Sequence, residues 1–252
     1  MRPGLRLGIV VCVMTVLMQP PAFAGKVTVA VASNFVLPMQ DIVAAFEQDT
    51  GHEVTLVSGS TGALYAQIVN GAPFDLLLAA DAARPQALVD AGRAAASDRK
   101  TYAIGRLVFW TRDAGLSLTD TAVTALEGQP HRLSIANPKL APYGRAAVEV
   151  LDRLGVRAAL RRQLVVGQNV NQSYQFVRTG NARFGFVAAS LVYRNGVLEQ
   201  GSAWLVPNTW HAPVRQDAVL LEGADGAPGA LFEYLDTASA AAVLKRFGYE
   251  VP

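Results

Sequence analysis

The chain has 252 residues, of which 51% are hydrophobic and 8% aromatic, so it can bury the core of one large or two modest domains. This composition excludes intrinsic disorder as the default state. Lysine and arginine number 22, and removing the N-terminal Arg2 and Arg6 leaves 20 basic residues against 20 acidic ones. The balanced charge argues against the clustered basic face of nucleic-acid binders, so we expect no nucleic-acid partner.

The N-terminus has the three parts of a secretory signal peptide. Arg2 and Arg6 precede an apolar run over 7–18, and a small-x-small sequence at 22–24 precedes Gly25. The apolar run is shorter than the ~20 residues that a membrane-spanning helix requires. We therefore expect residues 1–24 to be a signal peptide, cleaved after Ala24, and the mature protein to reach the periplasm. The single cysteine, Cys12, lies in this segment, so the mature protein is expected to lack disulfides and thiol ligands.

Strand and helix patterns alternate along the rest of the chain. Apolar residues alternate over 27–31 and then follow helical spacing over 39–46, which predicts a strand followed by a helix. Further strands are predicted at 53–57, 75–78, 102–110, 132–136, 164–166, 184–188, 203–206 and 214–221. Further helices are predicted at 63–70, 83–91, 147–154, 172–179, 231–235 and 240–247. Such alternation is typical of an α/β fold in which helices flank mostly parallel sheets.

The pattern restarts after the long strand at 102–110, which predicts a second lobe. Since no low-complexity linker separates the halves, we expect the chain to cross between lobes twice, near 103–105 and 212–215. Lobe 1 is predicted to comprise 25–104 and 213–252, and lobe 2 to comprise 105–212. A ligand cleft is expected between them, where the carboxyl ends of strands meet helix N-termini.

Four predicted strand-to-helix junctions, at 32–35, 58–62, 137–144 and 167–173, are rich in hydroxyl, amide and glycine residues. An anion at such a junction meets unpaired backbone N–H groups and the positive end of the helix dipole. Taken singly, each has another explanation: Ser33 could cap its helix, and the segment with Ser60 and Thr61 could be a plain turn. Together the four junctions predict an anion cradle.

The main alternative from another class is an exported hydrolase, because α/β folds host many enzymes. None of the three histidines, His52, His131 and His211, lies in a junction, and none is spaced from another as a metal ligand. The junction at 58–62 matches neither a P-loop nor a nucleophile elbow. Asp75 and Asp81 flank a strand and are interpreted as turn, cap or hinge residues.

The chain resembles the periplasmic molybdate-binding proteins of ABC transporters over essentially its whole mature length. The segments that carry the resemblance are 29–35, 58–62, 65–73, 79–81, 101–108, 137–138, 141–144 and 247–249. The resemblance implies a two-lobed, type II periplasmic-binding fold with no enzymatic activity. It also implies a small inorganic oxyanion as ligand, molybdate or tungstate, no further cofactor, a membrane permease as partner and a monomeric protein. Sulfate, phosphate or another tetrahedral oxyanion is the alternative ligand.

Carried over by position, the resemblance implies that five residues bind the metal as its oxyanion: Ser33, Asn34, Thr61, Tyr143 and Val170. Tyr143 and Val170 would act mainly through their backbone N–H groups. One position departs from the family pattern, because Ala188 stands where many members have a tyrosine. We expect Asn34 to compensate for the hydroxyl that Ala188 lacks.

Overall fold

The computed structural model of the protein describes residues 24–252. The predicted signal peptide therefore lies outside the described residues, apart from Ala24. Within 24–252, no helix is long and apolar enough to cross a membrane.

Strands and helices alternate through most of the described chain. The strands are β1 (Lys26–Ala32), β2 (Glu53–Gly59), β3 (Leu76–Leu78), β4 (Arg99–Gly105), β5 (Leu107–Thr111), β6 (Leu133–Ala136), β7 (Leu164–Gly167), β8 (Phe184–Ala188), β9 (Tyr193–Arg194), β10 (Val197–Leu198), β11 (Ser202–Leu205) and β12 (Val214–Leu220). The helices are α1 (Val36–Thr50), α2 (Thr61–Val69), α3 (Ala83–Asp90), α4 (Asp120–Thr124), α5 (Pro142–Arg153), α6 (Arg157–Leu160), α7 (Val170–Arg178), α8 (Ala227–Tyr234) and α9 (Ala238–Arg246).

Each lobe is built on one five-stranded sheet. Lobe 1 has the strand order β2-β1-β3-β12-β4 and lobe 2 has the order β11-β5-β8-β6-β7. In lobe 1, β12 pairs antiparallel with both of its neighbours, and in lobe 2, β5 does the same. Each sheet therefore has four strands in one direction and one reversed strand, which is the strand that enters from the other lobe.

The chain crosses between the lobes twice, once from β4 to β5 and once from β11 to β12. The predicted lobe boundaries at 104/105 and 212/213 fall at these crossings and stay a prediction. The single strand predicted over 102–110 is wrong, because β4 and β5 belong to different sheets and separate at Arg106. The segment is apolar on both sides of Arg106, so periodicity alone does not reveal the break.

Apolar side chains from both faces of each sheet form the cores. In lobe 1, Val27, Val29 and Val31 of β1 pack against α1, α8 and α9, while Ala30 packs with α2 and α3 on the opposite face. This division follows from the alternation of side chains along a strand. In lobe 2 the helices α5 and α7 cover the sheet. Both sheets direct the carboxyl ends of their parallel strands towards the cleft between the lobes.

Candidate functional site

A small buried cavity lies between the lobes at these strand ends. The centre of a water-sized sphere can reach only about 10 Å³ of it. Residues from both lobes line it: Ala32, Ser33, Asn34, Gly59, Ser60, Thr61 and Ala80 from lobe 1, and Ala141, Pro142, Tyr143 and Val170 from lobe 2. The structure thus brings all five sequence-predicted residues to one cavity. Its volume is below the ~300 Å³ at which pockets for larger organic ligands begin.

Ser33 lies in the turn between β1 and α1, with 4% of its surface exposed. Its backbone N–H donates to the carbonyl of Gly59 at 2.9 Å, which joins the first two junctions. The N-terminal cap position of α1 is Phe35, and no side chain caps this helix. The alternative that Ser33 serves as a helix cap is therefore wrong, and its hydroxyl lies at the cavity wall.

Asn34 lines the cavity, but its amide group points into a buried polar cluster. The Nδ2 atom donates to Oε1 of Gln216 at 2.7 Å and to the hydroxyl of Tyr249 at 2.9 Å. Since an amide nitrogen has two hydrogens, both are in use. The expectation that the side chain of Asn34 replaces the hydroxyl missing at Ala188 is corrected accordingly. The backbone N–H of Asn34, in contrast, has no acceptor within residues 24–252.

Thr61 is the first residue of α2 and is 1% exposed. Its Oγ1 atom accepts a hydrogen bond from the backbone N–H of Ala80 at 2.9 Å, so the hydroxyl hydrogen is available to a ligand. Ser60, directly before it, also lines the cavity and is 5% exposed. Ser60 is not among the five contacts that the resemblance implies, although it lies in the same junction as Thr61.

Tyr143 enters the site on α5, which begins with Pro142 at the position that needs no backbone donor. Gly144 permits this placement, because a Cβ there would lie 2.2 Å from the carbonyl oxygen of Ala136 at the end of β6. The side chain of Tyr143 is buried and reaches the end of β4 at the first crossing. A Cβ on Gly105 there would lie 2.1 Å from the hydroxyl oxygen of Tyr143. Burial raises the pKa of Tyr143 well above its ordinary value, so the hydroxyl stays protonated at neutral pH.

Val170 is the first residue of α7 and is 2% exposed. The side chain of Asn169, at the cap position, accepts from the backbone N–H of Gln172 at 2.9 Å. The N–H of Val170 has no acceptor in its own helix, because the first turn of any α-helix leaves its donors unpaired. Val170 can therefore offer a backbone donor to the cavity, as Tyr143 and Thr61 can from their own first turns.

Among residues 24–252, none that lines the cavity carries a charged side chain. No Asp, Glu, His, Lys or Arg is among the lining residues, whose polar groups are hydroxyls, an amide and backbone groups. The N-termini of α2, α5 and α7 open onto the cavity, and that of α1 lies one turn away. Unpaired N–H groups and helix dipoles favour an anion at this place without requiring a cationic residue.

Contacts between the lobes close the mouth of the cavity. The N–H of Gly62 donates to the carbonyl of Leu140 at 2.9 Å. Asp81, in lobe 1, accepts from the guanidinium of Arg145, in lobe 2, at 2.8 Å, and it also pairs with Arg84. The backbone N–H of Arg84 donates to Oδ1 of Asp81, which fits the interpretation of Asp81 as a turn residue. The described structure is therefore the closed arrangement of the lobes.

The other candidate residues lie away from the cavity. Ala188 is fully buried at the end of β8. His52 accepts from the N–H of Gly25, His131 contacts Arg183, and His211 is buried beside the second crossing. Within residues 24–252, no three His, Cys, Asp or Glu side chains are grouped to hold a metal ion.

Comparison with known proteins shows similarity over most of the chain. The model of the family described as bacterial extracellular solute-binding protein matches residues 27–250. The chain is 50% identical over 230 residues to the molybdate-binding protein ModA of Azotobacter vinelandii, covering 90% of this chain and 91% of that protein. It is 42% identical over 247 residues to ModA of Rhodobacter capsulatus, covering 97% and 96%.

A solved structure, the periplasmic molybdate-binding protein of Azotobacter vinelandii, superposes on this chain with a TM-score of 0.84 at 35% identity. The match covers 90% of this chain and 99% of that one. It confirms the predicted two-lobed α/β fold. The names of these relatives describe binding proteins, which agrees with the expected absence of enzymatic activity and argues against an exported hydrolase. The chain belongs to the bacterial extracellular solute-binding proteins.

Proposed function

We propose that the protein captures molybdate, and tungstate with it, for an ABC-type importer. The observation that carries the proposal is the small, uncharged cavity between the lobes, which is lined by hydrogen-bond donors and is far too small for a larger organic ligand. Ser33, Asn34, Thr61, Tyr143 and Val170 are the proposed contacts, and they bind the metal as its oxyanion. The names of the ModA relatives, which specify molybdate, support this assignment. No further cofactor is needed.

The chemistry of the wall favours a fully ionised oxyanion over phosphate. Near neutral pH, phosphate keeps a hydroxyl hydrogen that needs an acceptor, and no carboxylate or imidazole lines the cavity. A buried donor without a partner costs about 1 to 3 kcal/mol. Molybdate and sulfate carry no such hydrogen. Sulfate is smaller, so fixed donors spaced for the larger ion bind it more weakly.

The proposal includes a location and partners. The N-terminal pattern supports export by a signal peptide over 1–24, with cleavage after Ala24 and the periplasm as destination. The structurally similar protein of Azotobacter vinelandii is likewise described as periplasmic. The partner is the membrane permease of the importer. The protein acts as a monomer and does not bind nucleic acid, in keeping with its balanced charge.

Calorimetric titration of the mature protein tests the ligand. We expect one molybdate or tungstate ion per chain, weaker sulfate binding and weaker phosphate binding still. Molybdate should also raise the melting temperature, since a thousandfold excess over Kd stabilises the native state by about 4 kcal/mol.

Competition titrations at pH 6 and pH 8 supply the control for this experiment. Of the described residues that line the cavity, Tyr143 alone has a titratable side chain, and its raised pKa keeps it neutral over this range. The affinity for molybdate should therefore be nearly the same at both pH values. Phosphate that outcompetes molybdate at either pH, or an unchanged melting temperature at millimolar molybdate, would contradict the proposal.

A further inference from the structure

A buried polar cluster lies directly behind the cavity and joins four parts of the chain. Its members are Asn34 from the first junction, Gln216 from the crossing strand β12, Tyr249 near the C-terminus, and Ser190 from lobe 2. Each has at most 5% of its surface exposed. Ser190 lies in a short 3₁₀ helix (Ala189–Leu191) that directly follows β8. The cluster therefore spans the two lobes at the base of the cleft.

The cluster holds Asn34 on two sides. On the amide side, Nδ2 donates to Gln216 and to the hydroxyl of Tyr249. Gln216 is itself oriented, because its Nε2 donates to the carbonyl of Val214 at 3.0 Å. On the backbone side, the carbonyl of Asn34 lies 2.8 Å from the hydroxyl of Ser190 and 3.0 Å from that of Tyr249.

Tyr249 is the centre of the cluster, since its hydroxyl reaches both sides of Asn34 and lies 3.1 Å from Oγ of Ser190. Burial raises the pKa of Tyr249 to about 12, so the hydroxyl keeps its hydrogen at neutral pH. It can then accept from the amide and donate to a neighbouring oxygen at the same time. No residue of this cluster other than Asn34 lines the cavity.

We propose that Tyr249, Ser190 and Gln216 are positioning residues for the oxyanion site, which fix Asn34 so that its backbone N–H serves the ligand. This inference rests on the proposed function. Gln216 and Tyr249 belong to lobe 1, as Asn34 does, and hold its side chain and its carbonyl. The backbone of Asn34 therefore has little freedom left, so the direction of its N–H is set before the ligand arrives. Such preorganisation strengthens binding because the ordering cost is met during folding. It also favours an ion whose oxygens match the fixed donor, so it contributes to discrimination between molybdate and the smaller sulfate.

Tyr249→Phe tests the proposal, with Tyr102→Phe as the matched control. Both tyrosines are buried, and both pack against Phe35, with ring centroids 5.5 Å and 4.8 Å away. The hydroxyl of Tyr102 has no hydrogen-bond partner within residues 24–252. Each variant thus removes one buried hydroxyl from the aromatic cluster around Phe35, but only Tyr249→Phe removes a hydrogen bond to Asn34.

Titrations with molybdate, tungstate and sulfate give the readout, together with urea unfolding of the ligand-free variants. We expect Tyr249→Phe to raise the Kd for molybdate about tenfold and to reduce the preference for molybdate over sulfate. Tyr102→Phe should leave both within about twofold of the wild type on the same scale. Ser190→Ala, a smaller truncation, should weaken molybdate binding in the same direction as Tyr249→Phe.

Two results would overturn the inference while the proposed function stands. One is wild-type molybdate affinity in both Tyr249→Phe and Ser190→Ala. The other is an equal loss in Tyr249→Phe and Tyr102→Phe, which would assign the effect to aromatic packing. If the wild type binds tungstate or sulfate but not molybdate, the ligand assignment fails and the variants are compared on the bound anion. Binding of none of the three anions by the wild type would overturn both proposals.

Discussion

Thr61 serves two partners at once, which separates its contribution to binding from its contribution to folding. Its oxygen accepts from the N–H of Ala80, and its hydroxyl hydrogen is left for the ligand. We expect Thr61→Val to weaken molybdate binding by roughly 1.5 to 3 kcal/mol, the scale of a hydrogen bond to a charged group. The variant should also lower the free energy of unfolding by about 1 to 3 kcal/mol, because the N–H of Ala80 loses its acceptor.

Thr61→Ser is the control for this prediction, since it keeps the hydroxyl and removes a methyl group. It should bind molybdate far more tightly than Thr61→Val in the same calorimetric titration. Equal affinities of the two variants would show that the hydroxyl of Thr61 does not contact the ligand. Denaturant unfolding of both proteins without ligand measures the folding contribution independently.

At the residue scale, the sequence predicted which residues meet but not how each one acts. Ser33, Thr61, Tyr143 and Val170 come from the family resemblance, and the junction pattern supports them because each lies where a strand gives way to a helix. The role of Asn34 depends on Gln216 and Tyr249, which are 182 and 215 positions away in the chain. No local pattern contains that information, so the side chain of Asn34 was assigned to the ligand and not to the cluster behind it.

At the scale of elements, the N-terminal half of α5 links the ligand site to the mouth of the cleft. Arg145 lies two residues after Tyr143 and pairs with Asp81 across the lobes. We expect Arg145→Met to speed molybdate release about fivefold, the effect of losing an ion pair worth about 1 kcal/mol. Arg145 is partly exposed, so the wild-type release rate should rise with salt concentration as the pair is screened.

The pair between Arg157 and Asp152 provides the control for Arg145→Met. Its arginine is similarly exposed, its aspartate is more exposed than Asp81, and both of its residues lie in lobe 2. Arg157→Met should leave the release rate unchanged in the same stopped-flow measurement. If both substitutions speed release equally, the effect belongs to overall charge and the contact between lobes has no special role.

Element prediction succeeded where a strand is bounded by a turn and failed where two strands follow each other directly. The four junctions were placed correctly because glycine, proline and hydroxyl residues mark the starts of α2, α5 and α7. The break between β4 and β5 has no such mark except Gly105, and the flanking residues are apolar on both sides. The short strands β9 and β10, each of two residues, were missed for lack of any periodic run.

At the scale of the whole molecule, the closed cavity requires the lobes to separate before a ligand can enter. The lining residues are buried, and Gly62 and Leu140 bond across the mouth. We expect the ligand-free protein to sample an open form and molybdate to shift it to the closed one. Small-angle scattering should show a smaller radius of gyration when molybdate is added.

Thr61→Val at the same molybdate concentration controls for effects of the salt itself. At molybdate concentrations that do not saturate the variant, its radius of gyration should change less than that of the wild type. A wild-type radius that stays constant, although calorimetry shows molybdate bound, would indicate a site that forms without movement of the lobes.

The two-lobed architecture could be predicted because the strand and helix pattern restarts in the middle of the chain. The insertion of one reversed strand into each sheet could not, because the residues of a single strand do not reveal whether it runs parallel or antiparallel to its neighbours. Pairing direction depends on which lobe the chain has just left, and that is a property of the complete topology. The match to the Azotobacter vinelandii structure confirms the fold class, and the exact lobe boundaries stay a prediction.

The position of β12 also constrains the order in which the protein can fold. β12 lies between β3 and β4, so the sheet of lobe 1 has a gap until residues 214–220 are available. Lobe 2 is a continuous stretch of chain, and all five of its strands are present before β12 is made. Its pairings all span fewer residues than those of β12 with β3 and β4, and shorter loops close at lower entropic cost. The first strands of lobe 1 are therefore synthesised before lobe 2, but the sheet of lobe 1 is completed last, when β12 joins its two halves.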